Sequence, residues 1–316
     1  MLGLDPDPAA LWPAAVGSES AIHGSGPMPG APPDLPRPEA PDADEPPLPP
    51  GSPPDEARAL TAAAVARHCR LAIEAAGSAC VAVKFQLACF ERLGGPGWDA
   101  LEDAIAVARE HGLLTIADGK RGDVPVSASA YAQALVGHVD GPFGPILGLD
   151  VDAFTANPLL GRDALEPLVD GAVAAGAGVF SLVRTSNPGG ADLQDRDLGG
   201  APLHETLAGF VADLGAPTVG ASGLAAVGAV TGATRPDLLA RLRALMPSAI
   251  FLLPGVGAQG GSVTDLAPAF SAHRAGGLVT ASRSIVSAWR SGGGDPAQSA
   301  RAAAEELRGA AWSLVA

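Results

Sequence analysis

The chain has 316 residues, with 20 Lys plus Arg against 34 Asp plus Glu, a formal net charge of −14. That acidic balance disfavours nucleic acid and anionic membrane as partners, but a small anionic ligand needs only a local positive site. Three cysteines (Cys69, Cys80 and Cys89) without metal-ligand spacing argue against a disulfide framework, and Cys80 and Cys89 sit in apolar settings that read as buried thiols.

The first residues lack a basic start before an apolar run, so no signal peptide is read. No long charge-free apolar stretch has the flanks of a membrane span. The expectation is a cytoplasmic protein.

The elements begin with a strand stub at 2–4, ending beside Asp5. Residues 13–55 then form a Pro/Gly/acidic tract with almost no core-forming side chains. Such composition cannot offset the entropy of ordering and reads as a disordered insertion. Without it roughly 260 residues remain, enough for one large domain spanning 1–316. Further apolar runs predict strands at 80–84, 113–117, 153–155, 179–183, 227–231, 250–253 and 278–281. Ala-rich amphipathic stretches predict helices at 55–76, 98–111, 126–137, 162–176, 202–214, 236–245, 265–275 and 293–310, with Asp55 and Ser127 as initiators.

Eight strands, each followed by a helix, count out a (β/α)8 TIM barrel, an α/β fold, with a shortened first strand and the Pro-rich insertion between strands 1 and 2. Polar residues gather where the strands end. Asp5, Lys84, Asp118, Thr155 with Asn157, Arg184 to Asn187, Gly255 to Gln259, and Ser282 with Arg283 mark seven ends. In a barrel these ends form the face where substrates bind. A doubly wound sheet would gather its ligand groups at one switch point instead.

Residues 254–261 read Pro-Gly-Val-Gly-Ala-Gln-Gly-Gly, and Arg283 follows the next strand. Loops after strands 7 and 8 are the usual phosphate clamp of such barrels. Glycines let backbone N–H groups turn toward an anion, and Arg can add a forked, charge-assisted bond. A Gly-rich turn alone would signify only a tight loop; the Arg at the neighbouring strand end favours phosphate. The spacing is neither a P-loop nor a dinucleotide fingerprint.

Asp118, Lys120 and Asp123 lie where the 113–117 run emerges, one strand from Lys84. Charges are costly to bury unless paired. Alternating signs at contact distance make either a structural ion-pair network or a preorganised site for decarboxylation, and this segment alone leaves both open. In the second case Asp118 would repel a substrate anion and Lys120 would protonate the carbon left behind. The six His are scattered and read as surface or capping residues. No set of side chains reads as a metal site, since Asp150 and Asp152 flank strand 4.

At these residues the chain closely resembles orotidine 5'-phosphate decarboxylase, in its longer bacterial subgroup. The segments that carry the resemblance are Gly3-Leu4-Asp5-Pro6, Val83-Lys84, Asp118-Gly-Lys120-Arg-Gly-Asp123, Asn157-Pro-Leu-Leu-Gly161, Val183-Arg-Thr-Ser-Asn-Pro188, Val230-Thr-Gly-Ala-Thr234, the 254–261 loop, and Ser282-Arg283. The resemblance implies a cofactor-free, metal-independent homodimer that converts orotidine 5'-phosphate to UMP and CO2, with sites shared between subunits. It implies that Lys84, Asp118, Lys120 and Asp123 form a charged tetrad, Asp123 reaching the partner's site, with Lys120 as the proton donor to C6. Asp5 and Lys84 would hold the ribose, Ser186 the pyrimidine edge, and Gln259, Gly260 and Arg283 the phosphate. Ser127 would contact ligand across the dimer. The alternatives are a Mg2+-dependent sugar-phosphate lyase or decarboxylase of the same superfamily, and a non-catalytic nucleotide-phosphate binding barrel.

Three departures from the family pattern stand out. The chain begins almost at Asp5, so the first strand is expected to be weakly anchored and the barrel open at its bottom. The segment after Lys84 carries Phe85, Leu87 and Cys89 where the subgroup has Pro, Ser and Phe. The acidic tract enters on the substrate side.

Overall fold

The computed structural model describes residues 1–17, 53–257 and 260–315. Gln259 and most of the Pro-rich tract lie outside the described residues.

Eight parallel strands form one sheet: β1 (Leu2–Leu4), β2 (Ala82–Gln86), β3 (Leu114–Arg121), β6 (Ala153–Ala156), β7 (Gly178–Arg184), β8 (Val227–Thr231), β9 (Phe251–Leu253) and β10 (Gly277–Val279), adjacent in that order. The sheet closes on itself through a parallel bridge between Leu2 and Ala281. The three-residue β1 is bonded on both edges. Leu2 pairs with Val83 of β2, Gly3 N–H donates to Ala281 O at 2.8 Å, and the terminal ammonium donates to Val279 O at 3.0 Å. The expected weak anchoring of β1 is therefore corrected: its short length is offset by ladder bonds to both neighbours. The bottom does hold an opening, a cavity of about 330 Å3 bordered by Met1, Cys80, Val81, Leu278 and Trp312.

Between the strands run α1 (Pro13–Gly17), α2 (Pro53–Ala76), α3 (Leu87–Glu91), α4 (Gly95–Glu110), α5 (Pro125–Leu135), α6 (Arg162–Ala174), α7 (Gly190–Leu193), α8 (Leu203–Gly215), α9 (Pro236–Leu245), α10 (Arg283–Val286), α11 (Trp289–Gly292) and α12 (Pro296–Ser313). The flanks of the 13–55 tract are helical, so its expected bounds are too wide. Trp12 docks the first flank: its N–H meets His68 Nδ1 at 3.1 Å and its Nε1 donates to Val286 O at 2.8 Å. At the second flank Pro53 opens α2, with Asp55 and Glu56 in the first turn, an arrangement suited to a helix start. Likewise α5 starts at Pro125, which puts Ser127 inside the first turn rather than ahead of it.

The helix expected at 265–275 is a 3-10 segment, Thr264–Phe270, because Pro268 lacks the N–H an α-helix needs. An antiparallel hairpin, β4 (His138–Gly141) and β5 (Gly144–Leu147), was not foreseen.

Side chains alternate across the barrel wall. Ala82, Ile116, Ala153, Phe180, Val230 and Leu252 fill the interior. Phe180 is the one ring among them, and the wall makes room for it: a Cβ at Gly228 would lie 2.7 Å from that ring. The other faces, including Phe85, Phe154, Val183 and Phe251, join the helices in the larger core. Below β9, buried Arg243 donates to the carbonyls of Met246, Ala249, Ala269 and Gly276 at 2.7 to 3.0 Å and lies over the Phe251 ring. Burial lowers its pKa to about 10. The bonds tie the strand starts together on the side away from the charged residues.

Candidate active site

The C-terminal ends of the strands surround a cavity of about 370 Å3. Asp5, Lys84, Asp118, Lys120, Ser186 and Arg283 all border it. Six of the ten expected site residues thus meet in one place.

The period of two explains the convergence. Ala82, Lys84 and Gln86 share one face of β2, and Ile116 and Asp118 share the matching face of β3. The 113–117 run was expected to end before Asp118, but β3 continues to Arg121, with an irregularity in register between Ala117 and Arg121. Within it Lys120 adopts φ +49°, an uncommon conformation for a side chain with a Cβ. Its N–H donates to Thr155 Oγ1 at 2.8 Å. Arg121 is fixed by Glu91 on α3 and sits 5.5 Å from the Tyr131 ring centre, while Asn157 N–H donates to Arg121 O at 2.8 Å. The turn is tight: a Cβ on Gly122 would stand 2.5 Å from Asn157 O.

Asp118 is the hub. Lys84 Nζ lies 2.5 Å from Oδ2 and Lys120 Nζ 2.6 Å from Oδ1. Thr155 Oγ1 donates to Oδ1 at 2.9 Å and Gln86 Nε2 to Oδ2 at 3.3 Å. Asp5 Oδ1 is 3.8 Å from Lys84 Nζ. Burial alone would raise the Asp118 pKa, but the two lysines outweigh it and hold the carboxyl at about 2. Burial likewise opposes charge on Lys84, and Asp118 with Asp5 reverses that, so its pKa ends above the ordinary value. Both groups stay charged at neutral pH. The side chains of Lys84 and Asp118 are each 8% exposed, whereas Lys120 is 40% exposed. Of the two hub lysines, Lys120 is therefore the one more open to a ligand and to solvent protons.

The remaining expected residues fall elsewhere. Asp123 does not border the cavity, and its Oδ1 accepts the N–H of Val124 at 2.7 Å. Ser127 is half-buried in α5, also away from the cavity. Gln259 lies outside the described residues, and Gly260, with φ +88°, does not border the cavity. The glycine loop also differs from expectation. The N–H groups of Gly257, Gly260 and Gly261 bond to carbonyls within the loop at 2.8 to 3.0 Å. These glycines shape the turn, and Arg283 is left as the charged group on that wall of the cavity.

Two residues of the hub had no role in the sequence reading. Thr155 stood among the strand-end polar groups, and Gln86 lay two residues beyond Lys84. The signal for both was the same-face spacing from Ala153 and Lys84. Two other expectations are corrected. Cys69 is the fully buried thiol, while Cys80 and Cys89 are half-buried at the barrel rims. His68 and His204 are buried rather than on the surface, His68 edge-on to Trp12 and His204 beside Asp195. Leu87 and Phe85 are both fully buried, and a Cβ on Gly119 would stand 2.7 Å from Leu87 Cδ1. That departure from the family thus packs directly beneath the Asp-Gly-Lys turn.

A charged hub and an arginine facing one cavity at the C-terminal mouth of a closed eight-stranded barrel define a TIM-barrel enzyme. Comparison with known proteins narrows the class. Residues 58–303 match the model of the orotidine 5'-phosphate decarboxylase / HUMPS family. The chain is 45% identical over 239 residues to the orotidine 5'-phosphate decarboxylase of Deinococcus radiodurans, covering 75% of this chain and 83% of that one. It is 43% identical over 228 residues to the Rhodopirellula baltica enzyme of the same name, covering 71% and 74%. The solved structure of Leishmania donovani OMP decarboxylase superposes with a TM-score of 0.63 at 32% identity, covering 80% of this chain and 88% of that one. The chain belongs to the orotidine 5'-phosphate decarboxylase / HUMPS family. Among the described residues no helix is long and apolar enough to cross a membrane.

Proposed function

We infer that the protein decarboxylates orotidine 5'-phosphate to UMP and CO2, the last step of UMP synthesis. The observation that carries this reading is the Lys84–Asp118–Lys120 hub sharing one cavity with Arg283, in a chain of this family. The sugar-phosphate and non-catalytic alternatives have no comparable support. Asp152, one carboxylate a metal-dependent relative would call on, is held by Thr115 N–H and Oγ1 at 2.8 and 2.9 Å.

The phosphate is read against Arg283, with Gln259 from the preceding loop, and the ribose against Asp5 and Lys84. The pyrimidine then lies toward Ser186, and its carboxylate toward Asp118. Two negative charges about 4 Å apart repel by roughly 4 kcal/mol at an effective dielectric near 20. Enzymes lower barriers by about 8–23 kcal/mol, so this repulsion supplies a minor part. The larger part falls to Lys120. As the C–C bond breaks, its electron pair stays on C6 and CO2 leaves. The Lys120 ammonium, already fixed against Asp118, stabilises that charge and gives C6 its proton. Lys84 stays beside Asp118 and keeps it ionised. No step needs a metal or cofactor. Binding energy at the remote phosphate can favour the transition state over the bound substrate.

We also read the chain as one barrel domain that works as a homodimer in the cytoplasm, where its phosphorylated substrate and product are retained. Asp123 is read as lent to a neighbouring site because it does not border the cavity of its own chain. Val124, Val126, Leu159 and Leu160 are exposed just after the ends of β3 and β6, which the Asn157–Arg121 bond joins. Following the absorbance of orotidine 5'-phosphate with the purified protein, with and without EDTA, tests the reading. Equal turnover in both supports it; turnover only with added Mg2+ would favour the metal-dependent relatives.

A further inference from the structure

We propose that Gln194 and Asp195 are positioning residues that fix the cavity lip at 185–187 and so set the preference for a pyrimidine nucleotide over a bare sugar phosphate. This deepens the reading above and rests on it.

The lip follows Arg184, the last residue of β7, and Thr185, Ser186 and Asn187 all border the cavity. It is irregular backbone, so no ladder holds it. Gln194 Oε1 instead accepts from Thr185 N–H at 2.8 Å and from Thr185 Oγ1 at 3.1 Å. The next residue, Asp195, takes the buried Arg184 guanidinium in a two-pronged pair, Nε to Oδ1 at 2.8 Å and Nη2 to Oδ2 at 3.1 Å. The third nitrogen of Arg184 donates back to Thr185 O at 2.5 Å. Arg235 Nη1 adds a second cation to Asp195 at 2.8 Å, and His204 Nδ1 lies 2.9 Å from Gln194 O. Behind the lip, Gly232 N–H donates to Arg184 O at 2.7 Å, and Thr234 Oγ1 donates to Ser186 O at 3.0 Å. A Cβ on Gly232 would lie 2.6 Å from Ser186 Cα.

Every bond in this set comes from behind the lip. Thr185 N–H, Thr185 O and Ser186 O are all satisfied there. Among the described residues, the N–H and Oγ of Ser186 have no partner. Ser186 borders the cavity, and its hydroxyl can serve a heterocycle edge. Hydrogen-bond readout discriminates only when the reading groups are held at a fixed position. The bidentate Arg184–Asp195 pair and the Gln194 acceptor supply that fixity without touching a ligand, since neither Gln194 nor Asp195 borders the cavity.

The test compares Gln194→Met, which keeps length and loses the acceptor, with Gln194→Glu, which keeps an acceptor, and with Asp195→Asn. Affinity for UMP and for ribose 5-phosphate is measured by calorimetry, KM and kcat by turnover, and folding by thermal melts. Ribose 5-phosphate carries the sugar and phosphate but no base. We expect Gln194→Met and Asp195→Asn to weaken UMP about tenfold and to raise KM more than they lower kcat. Ribose 5-phosphate affinity should stay within about twofold, and Gln194→Glu should recover most of the UMP affinity. Folded variants that bind UMP as the parent does, or that lose both ligands in parallel, would overturn the proposal. A parent protein that neither binds UMP nor turns over orotidine 5'-phosphate would overturn the functional reading itself.

Discussion

Replacing Thr155 by valine exchanges one hydroxyl for a methyl at almost constant volume. Thr155 is 1% exposed and does not border the cavity, so the change reaches the chemistry only through what its oxygen holds. That oxygen accepts the N–H of Lys120 at 2.8 Å and donates to Asp118 Oδ1 at 2.9 Å. A hydrogen bond to a charged group contributes about 1.5–3 kcal/mol, and an orphaned backbone N–H costs about 1–3 kcal/mol when buried. Lys120 is partly open to water, which can repair some of its loss. The combined loss of stability should be about 2–3 kcal/mol, read from urea unfolding. Lys120 would also lose the bond that steadies its backbone at φ +49°. A misplacement worth about 1–2 kcal/mol in the transition state lowers kcat roughly 5- to 30-fold, with KM nearly unchanged. The assay is turnover of orotidine 5'-phosphate across a range of substrate concentrations. A variant that loses the expected stability but keeps kcat within about twofold of the parent would refute the claim that this hydroxyl positions the proton donor.

The acid side of the stability curve should show two separate windows. His68 is held neutral by burial and by Arg290, with a pKa of about 4 against an ordinary 6.5. The unfolded chain alone takes up that proton as pH falls from 6.5 to 4, so stability should drop by about 3 kcal/mol across the window, and His68→Gln should flatten it in urea titrations. The depressed Asp118 pKa works lower. Its contribution is intact above about pH 4 and is lost as pH falls toward 2. Gly122→Ala forces a Cβ against Asn157 O and should destabilise by roughly 1–3 kcal/mol, with activity falling further than the melt implies because the turn carries Lys120. Val126→Asp should shift sedimentation toward monomer and lower kcat, and Asp123→Ala should lower kcat while leaving the dimer intact. Full activity in a monomeric Val126→Asp variant would refute the lending of Asp123 between subunits.

The barrel was legible because buried parallel strands are short apolar runs, and 2–4 and 227–231 match β1 and β8 at both ends. Legibility failed where a strand carries function. In β3 the residues past Ala117 are three charged side chains and a glycine, so hydrophobicity ends before the strand does. The β4–β5 hairpin was not legible because its apolar residues, Val139, Phe143, Ile146 and Leu147, are exposed and do not alternate as those of a half-buried strand do. Arg243 and His68 were invisible as core members, since their burial depends on carbonyls and a ring brought from distant segments. The hub was readable in Lys84, Asp118 and Lys120 because a period of two places strand-end charges on one face. Thr155 could be seen as a strand-end residue but not as a bridge. Its two bonds cross from β6 to β3 at an irregular register, which spacing along one chain does not specify.

In the proposed reaction Lys120 is the group that protonates C6. The most direct measurement is the turnover of orotidine 5'-phosphate by Lys120→Ala beside the parent, with UMP affinity and a thermal melt recorded for each. The prediction is a folded variant that still binds UMP and has lost nearly all turnover, while the parent remains active in EDTA. Equal rates in the folded variant and the parent would contradict it.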